Sequence, residues 1–312
     1  MAGSQQPAGV PERRTVLSTS VGTHRGEFTP LDWGLFAGIG LIWGSSFLFI
    51  EIGLRVFEPG LITWMRVALG AAVLWLVPAA RVPIAREDRA RLLAISMLWV
   101  AIPFTLFPLA QQWITSGLTG LLNGSLPIFA TAIGSLMLRR WPGRPQAIGL
   151  VVGFAGVAAI AAPSLFEGSN EALGVVLILV AVICYGLAIN IAAPLTQRYG
   201  SLPAMARMLA LGAIWTAPLG VVGLAGSSFA WGPFLAIVTL GVLGTGLAFV
   251  LMGRLVARVG SSRASFATYL IPVVAVILGA MFLDESVHAL SLVGIGLVIA
   301  GALLASRRDT AT

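Results

Sequence analysis

Apolar residues fill ten stretches of this chain, at approximately 33–54, 61–79, 91–112, 116–138, 146–163, 172–193, 204–225, 232–252, 263–283 and 288–306. Each is close to the roughly 20 residues that a helix needs to cross a bilayer. The connectors between them are short and carry chain breakers, such as EPG at 58–60, WPGRP at 141–145 and GSS at 226–228. The pattern predicts an all-α integral membrane protein of ten transmembrane helices.

Composition agrees with that pattern. Of 312 residues, 58% are hydrophobic and 10% charged, and mean hydropathy is +0.96. A soluble globule normally carries about a quarter charged residues. Cys184 is the single cysteine, so no intramolecular disulfide or thiolate metal cluster is expected. The only histidines are His24 and His288, too few and too scattered to hold a metal. No cofactor is expected. Residues 1–31 are polar and hold no apolar core of the signal-peptide kind; they read as a flexible cytoplasmic tail.

The net charge of +7 comes from 19 arginines and no lysine. Those arginines cluster in connectors, which points to membrane orientation and not to a nucleic-acid partner. With the N-terminus called side one, that side holds Arg13, Arg14, Arg25, Arg81, Arg86, Arg89, Arg91, Arg139, Arg140, Arg144, Arg198, Arg254, Arg258, Arg263, Arg307 and Arg308, whereas the other side holds only Arg55. By the positive-inside rule both termini are expected in the cytoplasm.

The chain also resembles itself. A shift of 142 residues aligns Trp43-Gly44 with Tyr185-Gly186, the ALGA at 68–71 with the ALGA at 210–213, and the LAI at 93–95 with the LAI at 235–237. A shift of 145 carries Pro127 to Pro272, Ala130 to Ala275, Gly134 to Gly279 and Gly156 to Gly301. Two five-helix repeats are predicted, at 32–163 and 172–306. Five is odd, so the second copy enters the membrane from the opposite side, which makes the repeats inverted. The same shift sets Arg139-Arg140 against Asp284-Glu285, the change of sign expected when one structural position lies inside in one half and outside in the other.

Several motifs stand in register on this layout: WGSSF at 43–47, Pro59 followed by Arg66, NGSLPIFATAIG at 123–134, and YLIPVVAVILGAMFLDE at 269–285. Together with the five-plus-five arrangement they resemble the drug/metabolite transporter superfamily, in its ten-helix EamA-type branch. The resemblance implies helices one to four and six to nine around a central cavity, with helices five and ten at the periphery, and transport of small metabolites such as amino acids. One departure is Arg139-Arg140-Trp141 at the end of the fourth helix, where many relatives carry an acidic residue.

Polar groups inside apolar segments are the candidate site. Glu51 and Arg66 flank the turn at Pro59, which puts both about 10 to 12 Å below it on a helical hairpin. Glu51 shares a helix face with Gly40 and Gly44, a small-xxx-small seam for a close neighbour. One reading makes Glu51 and Arg66 a buried pair or a solute-facing set, with Glu51 coupling transport to protons; the other makes Glu51 a headgroup contact and Arg66 a structural counter-ion. Further cavity candidates are Trp43, Ser46, Asn123, Tyr185, Asn190 and Tyr269. Gln111, Gln112 and Arg207 read as interhelical hydrogen bonds, and Asp284-Glu285 as a cap on the tenth helix. Pro127 and Pro272 are the gating candidates, because they are repeat equivalents and proline frees backbone carbonyls.

Function follows from this arrangement. Inverted repeats suit alternating access around a midplane site, so the expectation is a secondary transporter, an exporter of a small organic metabolite such as an amino acid across the bacterial cytoplasmic membrane. The sequence has no GxxxxGK[ST] loop. The competing class, a membrane enzyme or lipid-handling protein, needs a cluster of acids, nucleophiles or metal ligands at one interface, and the loops offer no such cluster. Expected partners are a small-molecule solute and membrane lipid, with a homodimer as a further option.

Overall fold

The computed structural model describes residues 28–137, 143–167 and 169–305. The described residues form an all-α bundle: α1 (Pro30–Leu54), α2 (Pro59–Trp75), α3 (Arg89–Ile95), α4 (Ile102–Ala110), α5 (Ser116–Asn123), α6 (Leu126–Met137), α7 (Arg144–Glu167), α8 (Ser169–Tyr199), α9 (Ser201–Leu224), α10 (Trp231–Thr239), α11 (Ala248–Val259), α12 (Ser261–Ser265), α13 (Leu270–Leu283) and α14 (Ala289–Ala305). Several are pieces of one longer run. A π-helical turn at Ser96–Ala101 joins α3 to α4, and another at Leu240–Leu247 joins α10 to α11. Among the described residues, each apolar stretch expected from the sequence falls mainly on helix. Seven helical runs among the described residues are long and apolar enough to cross a membrane, and Pro59–Trp75, Ala147–Pro163 and Ala289–Gly301 are apolar but shorter.

Local chemistry sets the ends. Thr29 and Asp32 form a capping box ahead of α1, with Pro30 in the first turn, so two orphan amides are satisfied and the missing proline N–H costs nothing there. The helix therefore starts earlier than the apolar pattern suggests, at Pro30, and residues 1–27 of the expected tail lie outside the described residues. Gly200 and Gly260 adopt φ of 81° and 84°, which lets single-residue corners join α8 to α9 and α11 to α12 without a Cβ clash. Asp284 caps α13 in the left-handed region at φ 53°, a conformation that Asp tolerates better than most side chains.

Helix pairing positions the interior. α7 packs principally on α14, where a Cβ on Gly156 would come within 2.6 Å of the Gly294 carbonyl. α2 packs on α9, α1 on α13, and α6 on α8. The Gly40–Gly44 seam on α1 receives Leu270 and Val274 of α13, as small residues at a crossing allow. Glycine works the same way on α2 and α9: Gly70 lies against Thr245 of the second π turn, and Gly212 against Val100 of the first.

At the end of the bundle where the chain enters α1, charged side chains fasten helices together. Arg258 bonds Asp32 at 2.6 Å, and Arg198 bridges Glu87 at 2.6 Å and Asp88 at 2.7 Å. Arg207 donates to the carbonyls of Ala80 and Arg81, the interhelical role expected for it. Arg139 and Arg140 lie outside the described residues, so their relation to Asp284-Glu285 is not on view.

Candidate functional site

A cavity lies at the centre of the bundle, where the regular helices are interrupted. Asn123 ends α5, Gly124 and Ser125 turn, and α6 restarts at Leu126 with Pro127 in its first turn. On the other side a 3-10 turn at Phe266–Tyr269 separates α12 from α13, and Pro272 follows. Proline supplies no N–H to the ladder, so each helix restarts where a donor would be orphaned anyway. The two breaks touch, since Gly124 lies under the Pro272 ring and Gly120 under Ala275.

The polar lining consists of Ser46 from α1, Arg66 from α2, Asn123 from α5, Tyr185 from α8 and Thr268 from the 3-10 turn. Trp43, Phe47, Trp99, Phe104, Phe107 and Met252 contribute most of the apolar wall. The cavity they enclose measures about 30 Å³, room for a water or two and too little for an organic solute.

Aromatic packing holds the wall. Phe249 is the hub, with Trp43 at 5.5 Å, Trp99 at 5.4 Å and Phe104 at 5.7 Å between ring centroids, all edge-on as the ring quadrupoles prefer. Trp43 Nε1 donates to the Gly244 carbonyl at 2.9 Å, an oxygen in the second π turn. Ser46 spends its hydroxyl on the Ile42 carbonyl of its own helix, the local back-bond familiar for serine in membrane helices.

Arg66 is 3% exposed. Its guanidinium carbon stands 3.7 Å above the Phe104 ring, and Nε donates to Thr245 Oγ1 at 3.3 Å. No carboxylate pairs with it among the described residues. The expected Glu51–Arg66 pair is therefore corrected: Glu51 lies outside the cavity and its carboxylate accepts from Gln111 Nε2 at 3.3 Å. Equal depth along a hairpin did not bring them together, because Glu51 reaches Gln111 at the C-terminal end of α4, whereas Arg66 sits over Phe104 in the first turn of that helix and beside Thr245 of the second π turn. Gln111 also donates to the Phe47 carbonyl, an interhelical hydrogen bond as expected.

Two other candidates also lie away from the cavity. Asn190 is fully engaged: its amide donates to the carbonyls of Ala130 at 3.0 Å and Gly186 at 2.8 Å and accepts from Ser261 at 2.9 Å. It knits α8 to α6 and α12. Tyr269 stacks on Phe266 and lines a peripheral pocket with Phe28, Trp33 and Arg263. The expected Asp284-Glu285 cap on the tenth helix is corrected as well, since Glu285 caps α5 instead, through Ser116 N and Gly117 N.

Sequence reasoning missed Trp99, Phe104, Phe107 and Met252 as lining residues. Thr268, the repeat equivalent of Asn123, is expected from the sequence in a separate polar cluster of the inner half, and the structure sets both on one cavity. The aromatic residues gave no signal, because in an apolar helix a cavity ring and a lipid-facing ring look alike.

The model of the EamA-like transporter family matches residues 33–162 and again 172–307. The chain belongs to this family of membrane transporters, and it is a multi-pass membrane protein. Among curated relatives, an uncharacterized transporter of Archaeoglobus fulgidus is 23% identical, covering 88% of this chain and 99% of the relative. A probable terminal-alkyne amino-acid exporter of Streptantibioticus cattleyicolor is 28% identical, covering 88% and 93%. A solved crystal structure aligns with a TM-score of 0.61 at 16% identity, over 88% of this chain and 96% of that chain, a likeness of fold alone.

Proposed function

We propose that the chain is a secondary transporter that exports a small organic solute of the amino-acid kind by alternating access across the bacterial cytoplasmic membrane. The observation that carries this reading is the central cavity, lined from both family-matched segments and set where two broken helices meet. Discontinuous helices at mid-depth are where secondary transporters bind their cargo. Ten spans in two inverted repeats fit the pairing of helices. Exchanging the halves turns the α1–α13 contact into the α8–α6 contact and the Gly70 seat into the Gly212 seat. The two π turns occupy corresponding positions too, and π turns often mark functional sites. Trp43 with Tyr185, and Asn123 with Thr268, are equivalent pairs on one cavity.

In this mechanism Pro127 and Pro272 mark the points about which α6 and α13 bend, and the aromatic wall parts to admit the solute. The name of the Streptantibioticus relative supports amino-acid-like cargo and outward movement. The test is counterflow and efflux of a labelled amino-acid and metabolite panel from proteoliposomes holding the full chain. Saturable flux of at least one member, lost in Asn123→Leu, is expected. No flux of any member by protein with an intact melting transition would overturn the reading.

A further inference from the structure

The structure assigns Arg66 as the counter-ion of the transported solute, which makes that solute a small organic carboxylate with an apolar body. The inference rests on the transporter reading and names the cargo's chemistry.

Arg66 lies near the middle of α2, about 10 Å along the helix from Pro59, and faces the cavity. A buried cation in a membrane protein normally pairs with a carboxylate or with carbonyls. Arg66 does neither: among the described residues its one hydrogen bond is the Nε contact to Thr245, so the terminal nitrogens of the fork have no protein acceptor. The Phe104 face beneath them offsets part of the burial cost and leaves their edges open. A planar fork with unspent donors matches a carboxylate bidentately.

The repeat shows that the scaffold does not need this charge. A shift of 142 residues carries Arg66 to Met208, which is fully buried on α9, the partner of α2. One half therefore packs the position with an apolar side chain of similar length, and the cation in the other half serves something else.

A second group points into the same space. Asn123, 5% exposed, has its Oδ1 buried without a hydrogen-bond partner, and an unmet acceptor is costly in such a place. A donor on the solute, a hydroxyl or an ammonium, satisfies it. Between these two polar points the walls are Trp43, Trp99, Phe107 and Met252, which suit an aliphatic or aromatic body. With Glu51 outside the cavity, no carboxylate among the described residues lines it to favour a cationic cargo.

The test uses the full chain in detergent, with melting followed by tryptophan fluorescence. The probes are L-leucine, L-phenylalanine and hexanoate, beside their methyl esters and the amines isoamylamine and phenethylamine, with sodium chloride alone as a separate arm. At least one carboxylate is expected to raise the melting temperature of the wild type, while its ester and the amines do not. Arg66→Lys should keep a smaller shift, and Arg66→Met should lose it while melting at or above the ligand-free wild type, since it adopts the residue of the other half. The inference is overturned if an ester or amine stabilises equally, if Arg66→Met keeps the shift, if chloride alone reproduces it, or if none of the carboxylates stabilises the wild type. Flux of an uncharged or cationic solute in proteoliposomes would sink the carboxylate assignment and leave the transporter reading standing.

Discussion

The carboxylate of Glu285, in the segment after α13, accepts hydrogen bonds from the backbone amides of Ser116 at 2.9 Å and Gly117 at 2.8 Å. It caps the helix that ends in the cavity residue Asn123. Thr115 takes the next amide, that of Leu118, at 3.2 Å, so the first turn of α5 is satisfied from two directions. Glu285 also fills the space over Gly279, which ties the two segments together at the end of the bundle opposite the entry to α1.

Removing this cap should loosen that end. Glu285→Ala leaves two orphan amides and is expected to cost about 1 kcal/mol, the usual size of a lost N-terminal cap. Glu285→Gln, which can still accept one bond, should cost less. Melting curves check the ranking, and Glu285→Ala as stable as wild type would show that the contact holds nothing.

The crossing of the broken helices tolerates no extra atoms. Gly124→Ala sets a methyl into the Pro272 ring, and Gly120→Ala sets one into Ala275; overpacking of this kind costs about 1–3 kcal/mol. Gly296→Ala is the control, because nothing lies within 4 Å of the added Cβ. Purified yield and melting temperature should fall for the first two variants and stay level for the third.

Trp43→Phe keeps the ring wall and deletes the hydrogen bond to Gly244. A stability loss of about 1 kcal/mol is expected, with reduced flux because the π turn carrying that carbonyl loses its tie to α1. Flux equal to wild type would separate the π turn from the transport cycle.

Glu51→Gln preserves an acceptor for Gln111 and removes a charge that lies outside the cavity. Solute-induced stabilisation should survive the change. Flux driven by an imposed pH gradient is the second readout: loss with binding retained would make Glu51 the proton carrier, and unchanged gradient-driven flux would retire that role.

Much of the architecture was legible in advance, for reasons visible in particular residues. The cost of burying backbone polar groups in lipid forces long apolar runs into helices, so the apolar stretches coincide with helix to within a few residues. Gly40 and Gly44 announced a close crossing because only small residues permit one. The shift that relates Trp43 to Tyr185 singled out two rings that line one cavity. Glu285 was misplaced because a carboxylate near a helix start in sequence can serve any amide that the fold brings within 3 Å.

The sequence by itself determined the membrane class, the segmentation, the internal repeat and the glycines and prolines that interrupt the helices, because these follow from solvent and backbone chemistry acting along the chain. Tertiary structure alone decided which polar side chains share a space. Helix rotation and crossing angle are set by side-chain packing between segments far apart in sequence, and a turn of one helix by one residue moves a side chain about 100° around its axis. That rotation gave Glu51 to Gln111, closed Asn190 into a network with Ser261, and left Arg66 over Phe104 in the cavity that Asn123, with its unpartnered oxygen, also lines.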